Sequence, residues 1–261
     1  MDTHPRWPVI LLPGGILPVA AAYGALLAEL GDEVDAHPKD LEMYAGDSVP
    51  PPGYSLETEI DGISRVADQA GFDTFHLVGY SAGGASSLAF ASRHPDRLRS
   101  LVLMEPAAAG RFDQTPQEAA VFDRFRDIAA LLPDEVMPAF VRNQLAPGIP
   151  PPPPPAGPPP PWMATRPRAI GGFLRAFDAF EPDLGAFRSF HRPVWFALGS
   201  LGNPHLYPRI AERLGRVFPD FTVEVFKGRH HFDPPHRVEP ARVAAALRAL
   251  WRRAEDRSGN A

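Results

Sequence analysis

Short apolar runs alternate with longer stretches of helical periodicity along this chain. The run Val9–Leu12 stops at Pro13-Gly14-Gly15, and 19–30 then reads as an Ala- and Leu-rich helix closed by Gly31. Residues 56–70 carry Ile60, Ile63, Val66 and Ala67 at helical spacing, again ahead of a glycine. The pattern predicts a strand over 75–80, a helix over 82–94 stopped by Pro95, and strands over 101–104 and 194–198. A shorter strand at 223–226 and a helix over 238–251 complete it. Nearly all-apolar strands joined by helix-length crossovers imply an α/β fold, a mostly parallel sheet flanked by helices on both faces.

Between Pro106 and Arg192 the alternation stops. Helical pieces at 117–132, 134–144 and 168–180 share this stretch with a proline run. They predict a helical lid (106–192) inserted between two strands of a core built from 1–105 and 193–261. Proline is the compositional anomaly: 11 of the 33 fall between Pro147 and Pro161. Such a run favours polyproline II. It reads as a stiff lid loop or surface segment, with a Pro-binding partner module as the alternative.

Charge and composition narrow the function. The formal net charge is −5 and no Lys/Arg block stands out, so nucleic acid and anionic membranes are not expected partners. Cysteine is absent, which excludes thiolate catalysis, disulfides and Cys-ligated metals. No apolar stretch reaches the roughly 18 residues of a membrane span, and the start lacks a signal-peptide pattern. A cytoplasmic protein acting on a small molecule is the expectation. No P-loop, dinucleotide fingerprint or HExxH pattern occurs, so neither cofactor nor metal is expected. His230, His231, Asp233 and His236 lie close in sequence, but His231 has a better use than metal ligation.

That use begins with Gly79-Tyr80-Ser81-Ala82-Gly83-Gly84, a G-x-S-x-G between a predicted strand and a predicted helix. The glycines permit a cramped strand-to-helix turn that projects the Ser81 hydroxyl from the sheet edge. A serine needs a base. Gly228-Arg229-His230-His231-Phe232 follows the last strand, so its loop should reach the same edge; His231 is the candidate base and His230 its alternative.

These motifs, with LeuLeuProGlyGly at 11–15, HisProAspArgLeu at 94–98 and LeuValLeuMetGluPro at 101–106, resemble the α/β-hydrolase superfamily over nearly the whole chain. The resemblance implies an α/β-hydrolase fold that lacks the first two strands. It implies an oxyanion hole formed by the N–H groups of Gly15 and Ala82, with Pro13 where the family commonly has histidine. It also locates the third triad member. The usual acid position, after the strand ending at Leu198, holds Asn203, whereas Glu105 stands at the end of the preceding strand, where a subset of the family keeps its acid. Glu105 is therefore expected as the acid, with Asn203 as the alternative. A serine nucleophile also argues against haloalkane dehalogenase or epoxide hydrolase chemistry, which uses aspartate on this fold.

The expected function is a serine hydrolase of a carboxylic ester, thioester or lactone of a small, apolar molecule. It would work through Ser81, His231 and Glu105 and an acyl-enzyme. C–C bond hydrolysis, acyl transfer or a lyase or cyclase reaction on the same residues is one alternative; a non-catalytic ligand-binding protein is another. Nine of the 17 phenylalanines lie in 106–192, either as a roof over the substrate or as the lid's own core. Arg111, Arg142 and Arg175 could meet a substrate carboxylate or simply face solvent.

Overall fold

The computed structural model describes residues 6–153 and 157–258. Its elements in chain order are β1 (Trp7–Leu12), α1 (Val19–Leu30), β2 (Val34–Pro38), α2 (Leu56–Gln69), β3 (Phe75–Tyr80), α3 (Ala82–Arg93) and β4 (Leu98–Met104). There follow α4 (Pro116–Ile128), α5 (Pro133–Gln144), α6 (Arg166–Asp178), α7 (Leu184–Ser189), β5 (Val194–Gly199), α8 (Tyr207–Gly215), β6 (Phe221–Phe226), α9 (Pro235–Val238) and α10 (Pro240–Ser258). The six strands form one sheet in the order β2-β1-β3-β4-β5-β6, and every neighbouring pair is parallel.

Strand alternation divides the core into two layers. Ile10, Leu12, Leu77, Leu101, Leu103, Phe196 and Leu198 face a cluster completed by α2, α3, α8 and the helices after β4. Val9, Leu11, Val78, Val102, Met104, Trp195 and Ala197 face the other way, toward α1 and α10. Both faces being covered, the inner strands have no polar face to show, which is why their sequences read as continuous apolar runs. β2 is different. As an edge strand paired only with β1, its Val-Asp-Ala-His-Pro sequence buries Val34 and leaves Asp35 and Pro38 exposed. No apolar run marks it, and the sequence pattern passes over it.

Because all strands run in one direction, the segments after Leu12, Tyr80, Met104, Gly199 and Phe226 emerge at a single edge of the sheet. Ligand sites in open α/β sheets form at that edge. The chain between β4 and β5 supplies α4 to α7. Thr115 caps α4 through its hydroxyl, and Pro116 fills the first helical position. α4 is fastened to α8 by Glu118 and Arg213, both almost fully buried, with Nη2 2.7 Å from Oε1. Arg213 also donates to the Phe112 carbonyl at 2.8 Å. The end of α5 is clasped to the loop after β5: Ala146 N–H donates to Leu201, and Asn203 N–H donates to Gln144. Part of the proline run, 154–156, lies outside the described residues, and the polyproline II expectation for it lies there too. No helix among the described residues is long and apolar enough to cross a membrane.

Removing one partner of a buried pair strands the other charge in the interior. Arg213→Met is therefore expected to lower the unfolding free energy by about 3–5 kcal/mol, while Glu118→Leu with Arg213→Met recovers most of it. Urea titration of the three proteins checks this; equal stability of the single variant and the parent would contradict it.

Candidate active site

Ser81 sits between β3 and α3 with φ of 53°, in the left-handed region that a non-glycine residue rarely adopts. Such a backbone costs about 1–3 kcal/mol and survives where surrounding bonds fix it. Here Ser81 N–H donates to Met104 of β4 at 3.0 Å, and its carbonyl accepts from Ala85 and Ala107. Two glycines make the turn sterically possible. A Cβ on Gly79 would lie 2.4 Å from the Gly83 carbonyl oxygen, and one on Gly83 would lie 2.5 Å from that of Leu12.

The candidate base comes from the loop after β6. His231 Nε2 is 2.9 Å from Ser81 Oγ, and its Nδ1 is 2.9 Å from Glu105 Oε2. Two tyrosines pack on the imidazole: Tyr207 stacks on it with centroids 4.8 Å apart and planes 11° apart, and Tyr80 meets it at 5.0 Å with planes tilted by 30°. Tyr80 also donates its hydroxyl to the His231 carbonyl. Burial pushes both phenols well above their ordinary pKa, so each stays a donor at neutral pH.

Glu105, directly after β4, also has a left-handed backbone, with φ of 45°. Its N–H donates to Ala197 at 3.0 Å, and its Oε1 accepts from Gly199 N–H at 2.8 Å. Only 2% exposed, the carboxylate is thus fixed by one backbone donor and one imidazole. Asn203, the alternative third member, makes its side-chain bonds elsewhere. Its Nδ2 donates to the Asn143 carbonyl at 2.8 Å, and its Oδ1 accepts from His205 N–H at 3.0 Å. It clasps α5 to the loop after β5 and does not reach the imidazole. The alternative base, His230, instead accepts from Phe232 N–H at Nδ1, and among the described residues it makes no hydrogen bond to Ser81. Asp233 pairs with Arg229, and among the described residues no group of three or more His, Asp or Glu side chains is arranged to hold a metal ion.

The loop after β1 closes the site. Pro13 accepts from Gly83 N–H at 3.0 Å, docking the loop on the first turn of α3. A Cβ on Gly14 would lie 3.3 Å from Ser81 Cβ, and one on Gly15 would lie 3.6 Å from Ala82 Cβ. Among the described residues, neither Gly15 N–H nor Ala82 N–H has a protein acceptor. Two free donors beside a serine at a helix N-terminus suit a developing negative charge.

Above these groups lies a cavity of about 280 Å³. Phe125, Phe140, Ile170, Phe173, Leu174 and Phe177 line it from the segment between β4 and β5, and Ser81 and His231 line its floor. Four of the nine phenylalanines thus form a roof; Phe187 and Phe190 instead pack on Phe218, away from the cavity. Pro152 reaches the rim. Arg111, Arg142 and Arg175 do not line the cavity, and Arg111 pairs with Asp178 on the surface. Tyr207 escapes sequence reasoning because the pattern does not predict helix α8, whereas His236 enters it only as a member of the cluster set aside as a metal site.

Similarity to known proteins bears on the fold. The family model of the α/β-hydrolase fold matches residues 38–148. A 2-hydroxy-6-oxo-2,4-heptadienoate hydrolase of Pseudomonas putida is 33% identical over 107 residues, covering 36% of this chain and 39% of the relative. A Caulobacter segnis protein assigned as carbamate hydrolase RutD is 40% identical over 57 residues, 22% of this chain and 21% of that one. The chain therefore spans well under half the length of these curated relatives. Among solved structures, a thermophilic esterase from Thermogutta terrifontis superposes with a TM-score of 0.69 at 20% identity, covering 97% of this chain and 92% of that chain.

His236 gives the site a pH dependence of its own. It lies between Tyr23 and Tyr80, with centroids 4.9 and 4.8 Å away, and neither ring nitrogen has a protein partner among the described residues. Burial, aided by the charges of Arg237 and His231, pushes its pKa down from 6.5 to about 3. The unfolded chain takes up a proton below 6.5 that the folded protein refuses until near 3. Its contribution to stability is therefore full above that window and is lost as pH falls through it. His236→Phe is expected to lessen the loss of unfolding free energy between pH 6.5 and 4 by up to roughly 3 kcal/mol. Urea titrations of both proteins across that range test this, and parallel curves would refute it.

Proposed function

The chain belongs to the α/β-hydrolase superfamily, and from that premise we propose that it is a serine hydrolase of carboxylic esters, thioesters or lactones of small, apolar molecules. The observation that carries the reading is the unbroken relay from Ser81 Oγ through His231 to Glu105, both links at 2.9 Å, beside two unpaired backbone donors. His231 Nε2 takes the Ser81 proton as Oγ attacks the carbonyl carbon. The resulting oxyanion is received by Gly15 and Ala82 N–H. His231 then returns the proton to the leaving group, and the acyl-enzyme forms. Water, deprotonated by the same nitrogen, attacks the acyl carbonyl and frees Ser81.

General-base assistance of this kind is worth roughly 10²–10⁴-fold, and each oxyanion donor about 10²–10³-fold. Glu105 keeps the Nδ1 proton in place and offsets the imidazolium charge without taking the proton. The aromatic roof favours an uncharged acyl or aryl group. The segment from α4 to α7 serves as a lid in this reading, with Pro152 among the residues that line the cavity.

A second reading has one specific support, the similarity to the Pseudomonas putida dienoate hydrolase. The same residues would then cleave a C–C bond next to a carbonyl. A vinylogous 1,5-diketone and a p-nitrophenyl ester offered to one preparation separate the two readings by their kcat/KM ratio. An idle pocket would react with neither, nor with a fluorophosphonate.

Ser81→Ala is expected to abolish p-nitrophenyl butyrate hydrolysis and fluorophosphonate labelling; full retention of either would sink the nucleophile assignment. Glu105→Gln should lower kcat by roughly 10³–10⁴-fold, as loss of the orienting carboxylate does in comparable triads. Asn203→Ala should leave kcat within a few-fold of the parent, since its amide bonds lie elsewhere. The reverse order in steady-state kinetics would exchange their roles. Shortening Pro150–Pro161 should shift the preferred acyl chain length with little change in thermal midpoint; an unchanged profile would make the run a surface insert.

A further inference from the structure

The Gly15 N–H belongs to the Gly14–Gly15 peptide, a plane between two glycines with wide freedom in φ and ψ. Left to itself such a peptide rotates readily, and a rotated plane points its N–H away from Ser81. Among the described residues no bond engages the Gly14 carbonyl or the Gly15 N–H. Its neighbours on both sides, however, are tied. On one side, the Pro13 carbonyl accepts from Gly83 N–H at 3.0 Å. On the other, Tyr44 donates its hydroxyl to the Gly15 carbonyl, and Arg166 Nε donates to the Ile16 carbonyl at 2.7 Å.

These last two donors are built as one piece. The Arg166 guanidinium lies 3.7 Å over the Tyr44 ring and 4.9 Å from the Trp162 ring. Arg166 is 4% exposed, and among the described residues its hydrogen bonds go to the Ile16 carbonyl and the Thr165 hydroxyl and to no carboxylate. Burying a lone cation is costly, and two aromatic faces and two oxygens, the Ile16 carbonyl and the Thr165 hydroxyl, are what it receives. An apolar helix packing on an apolar loop would need no such residue. Tyr44 is itself anchored from below. Glu59, on α2 and fully buried, accepts from the N–H groups of Glu42 and Met43 and from the Tyr54 hydroxyl.

We infer that Tyr44 and Arg166 are positioning residues that hold the Gly15 N–H toward Ser81, so that the seating of α6 sets the competence of the oxyanion hole. Arg166 is the first residue of α6, in the segment between β4 and β5, and Tyr44 follows β2 in the sheet half of the molecule. The covering segment thus does more than enclose substrate: withdrawing it takes the clamp off the loop after β1. The inference rests on the reading of Ser81 as nucleophile and of Gly15 as an oxyanion donor.

The test uses the full chain and three variants. Tyr44→Phe keeps the ring under Arg166 and removes only the donor to Gly15; Arg166→Met removes the charge; Arg166→Lys keeps a cation able to reach Ile16. With p-nitrophenyl butyrate, the first two are expected to lose roughly 10–100-fold in kcat with KM within about 3-fold, less than the full loss of an oxyanion donor. Affinity for a trifluoromethyl ketone should fall by the same factor as kcat/KM, as expected for groups that act on the transition state. Affinity for an unreactive alcohol of the same shape should hold, and Arg166→Lys should recover most of the kcat. Amide hydrogen exchange over 13–17 should quicken in the first two variants with no change over β3 and β4. An unchanged kcat in Tyr44→Phe, a loss confined to KM, or unaltered exchange over 13–17 would overturn the inference. Should Arg166→Met not fold, Tyr44→Phe decides alone. Should Ser81→Ala keep its turnover, the proposed function fails, and the exchange experiment still reports whether the clamp exists.

Discussion

The close approach of α3 to the ends of β1 and β3 is the constraint on which the site depends. Helix α3 begins at Ala82, directly after the left-handed Ser81, and its first turn lies against Leu12 and Pro13. Only glycine at 79 and 83 leaves room for that approach. Once it is made, Ser81 cannot relax, because β4 holds its N–H through Met104. The same contact docks the loop after β1, through Gly83 N–H and Pro13, and so brings Gly15 beside Ala82. Candidate nucleophile, candidate oxyanion donors and loop are consequences of one packing event in an all-parallel sheet.

The three side chains of the relay are well partnered, in contrast to His236 beside them, whose ring nitrogens have no protein partner among the described residues. Glu105 has a backbone donor and an imidazole, and His231 has a carboxylate, a hydroxyl and two tyrosine rings packed on it. Buried networks of this sort fix geometry because any member left alone would bear a large desolvation cost. The left-handed φ at Glu105 belongs to the same arrangement. It is a second strained residue at the sheet edge, adjacent in space to the first, and strain of this kind concentrates at working sites.

Much of this is legible in the sequence, for identifiable reasons. Inner strands buried on both faces announce themselves as apolar runs, and the G-x-S-x-G between strand and helix announces the turn. The histidine after the last strand follows from direction alone, since parallel strands deliver their loops to one edge. β2 is not legible: an edge strand with Asp35, His37 and Pro38 carries no two-sided apolar signal. Helix α8 escapes too, and with it Tyr207 at the imidazole. Asn203 looks like a candidate because sequence gives its place after β5 and not the direction of its amide. The joint action of Tyr44 and Arg166 is beyond reach, since residues more than a hundred apart meet only through the packing of α6 on the sheet. Glu118 and Arg213, 95 positions apart, go unnoticed because they meet only where α4 packs on α8.

The placement of Arg166 has a consequence for recombination. Segments between β4 and β5 look like cassettes, joined to the sheet at two points and free to be exchanged for others of different length and lining. In this molecule the segment carries one half of a clamp whose other half, Tyr44, is anchored by Glu59 in the sheet half. A transplanted segment could bring a well-shaped chamber and still leave the loop after β1 loose. Compatibility of a graft would then be decided at the joint of Arg166, Tyr44 and Ile16, far from the walls that a designer would choose for their fit to a ligand.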